Sequence, residues 1–147
     1  MRWLTSTTTR GERGAAAVEF ALVVIPLLLV IFGIINFGFV FAQQLALDNA
    51  VRAGARAGVV DRGPTAPTLT AVTTSEWTST AIGLSQTGTL GVTFPGTAGT
   101  SCKASTFGQN LAVRGTVTST FLVPWPLPGV PQTVTLSSQA EFQCEYQ

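Results

Sequence analysis

Charged residues are absent from Phe20 to Leu47, and from Phe20 to Phe41 the only polar side chain is Asn36. As a helix, Phe20 to Phe41 would be about 33 Å long, enough to cross a hydrocarbon core of about 30 Å. The pattern predicts a transmembrane helix over about residues 20–42. Arg2, Arg10 and Arg13 precede it against Glu12, whereas Asp48 comes before Arg52 on the far side. The excess of positive charge places the N-terminus in the cytoplasm and everything from about Gln43 outside. Val40-Phe41-Ala42 would pass as a signal-peptidase site, but the apolar run before it exceeds the 7–15 residues of a signal peptide. A buried helix of a soluble protein is the weaker reading, because so long an uncharged run is rare outside membranes.

No helix breaker follows Ala42 until Gly63-Pro64, so one helix of about 70 Å is expected from about Ala15 to Asp61. Its distal half is amphipathic. Leu47, Ala50, Val51, Gly54 and Gly58 form an apolar stripe, and Asp48, Arg52 and Arg56 line another side. Asp48 four residues before Arg52 is the favourable order for an ion pair. Pro26 removes one backbone bond and predicts a kink or a loosened turn. Gly38, Ala42, Ala46, Ala50, Gly54 and Gly58 make a row of small residues spaced by four. Such a row admits close backbone approach, by neighbouring subunits or by the protein's own sheet. An Ala- and Gly-rich stretch also produces such rows by chance.

Beyond residue 63 the period changes. Thr and Ser become frequent, and Thr68 to Leu84 could hold a short helix, although its threonines weigh against one. Leu90, Val92 and Phe94 alternate. So do Leu111, Val113, Val117, Phe121 and Val123, with Gly115 and Ser119 on the same face and Arg114, Thr116, Thr118 and Thr120 opposite. In a last strand from Gln132 to Tyr146, Val134, Leu136, Ala140, Phe142, Cys144 and Tyr146 face inward, and Thr133, Thr135, Gln139, Glu141 and Glu145 outward. One dry and one wet face fit an antiparallel sheet, with the Leu47/Val51 stripe as its cover. Pro124 to Pro131 holds four prolines and reads as a loop. Its Trp125 and Leu127 either fold back over the sheet edge, the commoner behaviour, or meet a partner or the membrane surface. The fold class is α+β: a long N-terminal transmembrane helix (residues 15–62) on a small Thr-rich sheet domain (residues 63–147).

Composition sharpens this picture. The chain of 147 residues is 46% hydrophobic and only 10% charged, with a net charge of +1. That leaves no basic surface for nucleic acid. Histidine is absent, which removes His-based triads and most zinc sites. The acids are scattered and no phosphate-binding loop is present, so neither catalysis, a cofactor nor a metal is expected. Cys102 and Cys144 both fall on the side assigned to the outside, where disulfides form. A bridge between them would contribute about 4 kcal/mol in the chain-entropy model, free buried thiols being the alternative.

One charge is out of place. Glu19 is fused to the apolar run, and a carboxylate within a bilayer costs about 2.5–3.5 kcal/mol on insertion scales. A cut between Gly14 and Ala15 would create an α-amine one helical turn before it, largely cationic at neutral pH. Glu19 would then sit in the first turn, where the helix dipole favours an acid. Otherwise Glu19 simply marks the membrane interface.

Arg10-Gly-Glu-Arg-Gly14, Ala15-Ala-Ala-Val-Glu19-Phe20-Ala-Leu-Val-Val and Pro26-Leu-Leu-Leu, taken together, resemble the N-terminus of TadE-like pseudopilins, minor pilin-like proteins of the tight-adherence (Flp) pilus system. The resemblance continues through Phe32-Gly33-Ile-Ile-Asn36-Phe37-Gly38 and through Leu45 to Ala57, covering about residues 10–58. It implies a 14-residue cytoplasmic leader removed after Gly14 by a prepilin peptidase, with Glu19 needed for processing or assembly. It also implies other pilins or pseudopilins, the pilus machinery and the lipid bilayer as partners. The family usually has an acid where Asn36 stands, and often an arginine where Phe39 stands. A bulk pilus subunit, and an uncleaved single-pass anchor whose outer domain binds a ligand or surface, are the rival readings.

Overall fold

The computed structural model describes residues 10–60, 68–80, 89–103, 105–125 and 128–144. The first part of the leader, the Gly63-Pro64 breaker, the end of the expected second helix, Leu127 and Tyr146 lie outside them, as do the side chains of residues 10–13.

Helix α1 runs unbroken from Arg10 to Val59, through Pro26, a length of 50 residues. The proline therefore does not interrupt the helix. Exposed apolar side chains cover its first half, among them Phe20, Leu22, Val23, Ile25 and Val30. By length and composition α1 is a candidate membrane span. One face of its second half is buried: Leu47, Ala50, Val51 and Ala55 are all 0% exposed.

Helix α2 spans Leu69–Thr80. Its threonines and serines do not prevent it, because their hydroxyls bond back to the helix. Thr68 caps it, accepting from the Ala71 N–H at 3.2 Å. Thr73, Ser75, Thr78 and Ser79 donate to carbonyls three or four residues earlier. Leu69, Thr73 and Trp77 form the buried stripe.

Strands β1 (Gly91–Thr93), β2 (Asn110–Thr120) and β3 (Thr133–Gln143) form one antiparallel sheet in that order. Leu111, Val113, Val117, Leu136 and Ala140 point into the core, with Gly115 and Ser119 on the same face. Arg114, Thr116, Thr118 and Thr120 face out. The long alternating strands are thus as expected, with two exceptions. Ala112 is buried on the expected wet face, and Phe142 on the inward face stays 39% exposed. Each strand is also shorter than its alternation suggested. β2 stops at Thr120; the Phe121 N–H still bonds the carbonyl of Gln132, its partner in the same register, and Val123 then bonds α1 instead of a strand.

Glycines permit the approach of α1 to the sheet. A Cβ on Gly115 would lie 2.8 Å from both Leu47 and Val51 side chains. One on Gly58 would lie 2.7 Å from Leu111, and one on Gly54 would collide with Thr73. These contacts show β2 running antiparallel to α1: Leu111 lies by the helix end, and later residues lie progressively nearer its middle. The expected Asp48–Arg52 ion pair does not form among the described residues. Asp48 instead accepts from Gln44, whose amide also reaches the Ser137 carbonyl of β3 at 3.2 Å.

Cys102 and Cys144 are joined in a disulfide, 42 residues apart in sequence. It ties the end of β3 to the segment before β2. The Cys102 N–H donates to the Gly58 carbonyl at 3.4 Å, occupying one of the acceptors left open at the end of α1.

Replacing both cysteines by serine is expected to lower outer-domain stability by about 2–5 kcal/mol, measured by denaturant titration of the folded chain. A glycine pair separates close packing from chance. Gly54→Ala should destabilise by about 1–3 kcal/mol. Gly38→Ala, where a Cβ would touch nothing within 4 Å, should be neutral or stabilise by about 0.5–1 kcal/mol. Thermal melts of the two variants check this.

Candidate functional site

The residues singled out by sequence fall into two groups on α1. The first lies at its N-terminal end. Gly14, Ala15, Glu19 and Phe20 are all exposed, Phe20 to 69%. A Cβ at Gly14 would meet nothing within 4 Å. Ala15 and Glu19 stand one turn apart on one face. The Gly14–Ala15 peptide bond lies inside the helix in this uncut chain, so any protease acting there must first unwind the helix locally. Gly11 and Gly14 lower the cost of doing so, each being less favourable in a helix than alanine by about 1 kcal/mol. Pro26, farther along, is exposed.

The second group lies along the distal half. Ala46, Ala50 and Gly54 are buried, and Ala42 and Gly58 are half-buried. The outer portion of the small-residue row is therefore occupied by the protein's own sheet and α2, while Gly38 remains open. The structure does not unite the whole row in one contact surface.

Asn36 joins the two halves. It is 2% exposed, although its neighbours Ile35 and Phe37 are exposed to 41% and 73%. Its Nδ2 donates to the Val123 carbonyl at 2.8 Å, and its Oδ1 accepts from the Val123 N–H at 2.9 Å. One carboxamide thus satisfies both polar groups of one peptide residue, as a neighbouring strand would. Trp125 lies one helical turn nearer the N-terminus, with its ring edge 3.7 Å from a Cβ position on Gly33. The tryptophan folds back, as the commoner reading had it, but onto the helix and not over the sheet edge. Contact of the sheet domain with α1 therefore begins at Gly33, within the stretch of residues 20–42 expected to cross lipid.

Sequence reasoning gave Asn36 no partner on the loop. The available signal was its isolation: a lone amide in an apolar run calls for a hydrogen-bonding partner. Gln132 went unnoticed too. It holds the other side of the loop, accepting from the Trp125 N–H at 3.0 Å and donating to the Val130 carbonyl at 3.1 Å.

On the wet face of the sheet, Arg114 donates to Gln139 through Nε at 3.0 Å and Nη2 at 2.7 Å. Asn110 bonds Glu141 across the same strand pair. These cross-strand pairs hold register. Among the described residues no three His, Cys, Asp or Glu side chains come together as a metal site would require.

A long apolar helix bare at one end and carrying a small antiparallel sheet at the other is a pilin-like α+β architecture. The family model described as TadE-like protein matches residues 14–56. Over residues 14–56 the chain is therefore similar to TadE-like proteins. The match starts at Gly14 and lies wholly within α1; the sheet falls beyond it. No curated protein and no solved structure matches the chain.

Two substitutions at Asn36 separate its two hydrogen bonds. Asn36→Leu leaves both Val123 groups unpaired and should cost about 1–3 kcal/mol. Asn36→Asp keeps an acceptor for the Val123 N–H but faces the carbonyl with an oxygen. Hydrogen exchange at Val123 should accelerate strongly in the leucine variant and less in the aspartate variant.

Proposed function

We propose that this chain is a minor pseudopilin required for assembly or priming of a tight-adherence (Flp-type) pilus. A prepilin peptidase removes residues 1–14 by cutting after Gly14. The protein is inserted with its N-terminus in the cytoplasm and its sheet domain outside, and it performs no catalysis. Its partners are the peptidase, other pilins or pseudopilins, the assembly machinery and the bilayer.

The observation that carries this reading is the division of α1. A bare apolar half, starting at the matched Gly14, continues without a break into a half locked onto a folded domain. Such a helix has two stable environments, lipid before assembly and a sheath of similar helices after it. A disulfide in the outer domain fits an oxidising compartment. Cleavage would place the Ala15 amine, with an ordinary pKa of about 7.7–8.0, one turn before Glu19. In lipid that pair lowers the cost of carrying either charge alone. In an assembly the same amine can meet the carboxylate of a neighbour.

Intact mass of the membrane-extracted protein tests the processing step. In cells with the peptidase the chain should begin at Ala15, and Gly14→Trp should leave it full length. Glu19→Gln should reduce processing or surface pili. A full-length chain in peptidase-positive cells would instead favour an uncleaved anchor.

A further inference from the structure

From Phe121 to Pro131 the loop between β2 and β3 contains only Phe, Leu, Val, Trp, Pro and Gly. No charged residue occurs between Arg114 and Glu141. Such a loop on the outer surface of a domain would ordinarily be polar. Its place in the fold explains the exception.

The loop is pinned to α1 at Gly33 and Asn36. Glu19 to Asn36 spans about 25 Å of helix, short of the roughly 30 Å of a hydrocarbon core. Apolar exposure on α1 continues past the loop: Phe37 and Phe41 are 73% and 63% exposed and stacked on each other. The loop thus stands beside the helix at a level where the helix still presents an apolar face.

Its hydrogen bonding fits the same place. Backbone groups at a lipid boundary need partners from the protein, because water is scarce there. Prolines 124, 126, 128 and 131 have no N–H to satisfy. Asn36 takes both groups of Val123, and Gln132 takes the Trp125 N–H, the Val130 carbonyl and the Phe121 N–H. Leu122 between them is 49% exposed. Leu122, Pro124 and Pro128 exposed, with the neighbouring backbone groups bonded to the protein, are the reverse of a polar, solvent-bonded turn. Tryptophan beside such a surface is characteristic of the membrane–water interface.

We infer that the Phe121–Pro131 loop is a membrane-seating element, resting in the interfacial region of the outer leaflet and fixing the depth of the sheet domain. Its partner is the lipid bilayer. The inference rests on α1 spanning the membrane, and the test separates the two.

The full chain, with Trp3→Phe and Trp77→Phe leaving Trp125 as the only indole, is reconstituted into phosphatidylcholine–phosphatidylglycerol vesicles. Nitroxides attached at shallow and at deep positions of the acyl chains are compared as quenchers, with iodide in the aqueous phase. The expected result is stronger quenching by the shallow label and loss of iodide quenching on reconstitution. Resistance to carbonate extraction, measured in parallel, reports insertion of α1. Resistance without quenching by either label would overturn the seating while leaving the span intact. Extraction by carbonate would overturn both. Shielding that rises with the protein-to-lipid ratio would assign this face to a second copy and overturn the lipid assignment. Because Trp77 is buried, the same comparison is made between the native chain and Trp125→Phe; seating requires that the shallow-quenched emission be lost with Trp125.

Discussion

Close approach of one helix to one sheet is the constraint on which this structure depends. A domain this small has few large side chains to bury, and α1 supplies only one narrow stripe to it. The interface compensates with proximity. Gly115 on β2 lies directly under Leu47 and Val51, and Gly58 lies against Leu111. Gly54 receives the hydroxyl-bearing side chain of Thr73 from α2. Each pairs a missing side chain on one element with a full one on the other, so the layers interlock at the density of a protein interior. The helix would otherwise stand off from the strands, and the apolar faces of both would remain wet.

That contact leaves the other half of α1 unsupported by its own fold, although the TadE-like match runs through both halves. Its exposed Phe, Leu, Ile and Val side chains need a surrounding that is not water. Lipid and a bundle of like helices both provide one. The two regimes overlap around Asn36, where a buried amide meets the tip of the sheet domain one position from an exposed phenylalanine. An acid at this position could accept from Val123 N–H but could not donate to its carbonyl. The amide in this chain therefore suits an intramolecular partner, whereas a carboxylate would suit a cationic one.

Much of this was legible in the chain itself. The long helix follows from an uninterrupted apolar run continued by a stripe at helical spacing, both local signals. β2 and β3 follow from strict alternation, and the parity of Cys144 with Leu136 and Ala140 placed its sulfur on the dry side. What could not be read was whatever depended on a distant partner. The hydroxyls of α2 argued against a helix until their acceptors were visible one turn away. β2 alternates through Val123, yet the Val123 backbone groups go to Asn36, a helix residue far away in sequence, and not to a strand. Trp125 had an apolar destination in either reading, and only the fold decides between sheet edge and helix. The charge order of Asp48 and Arg52 suggested a pair, but Asp48 accepts from Gln44, whose amide also bonds β3.

The antiparallel run of β2 along α1 has a mechanical consequence. The two elements are fastened at opposite ends, by the Asn36 amide to Val123 at one and by the Gly58 carbonyl to Cys102 and its disulfide at the other. A pull along the helix axis therefore acts parallel to the interface and loads its contacts together, in shear. A pull across the axis would peel them one at a time. An axial load on α1 thus meets the whole seam at once, from the Asn36 amide to the Gly58 carbonyl.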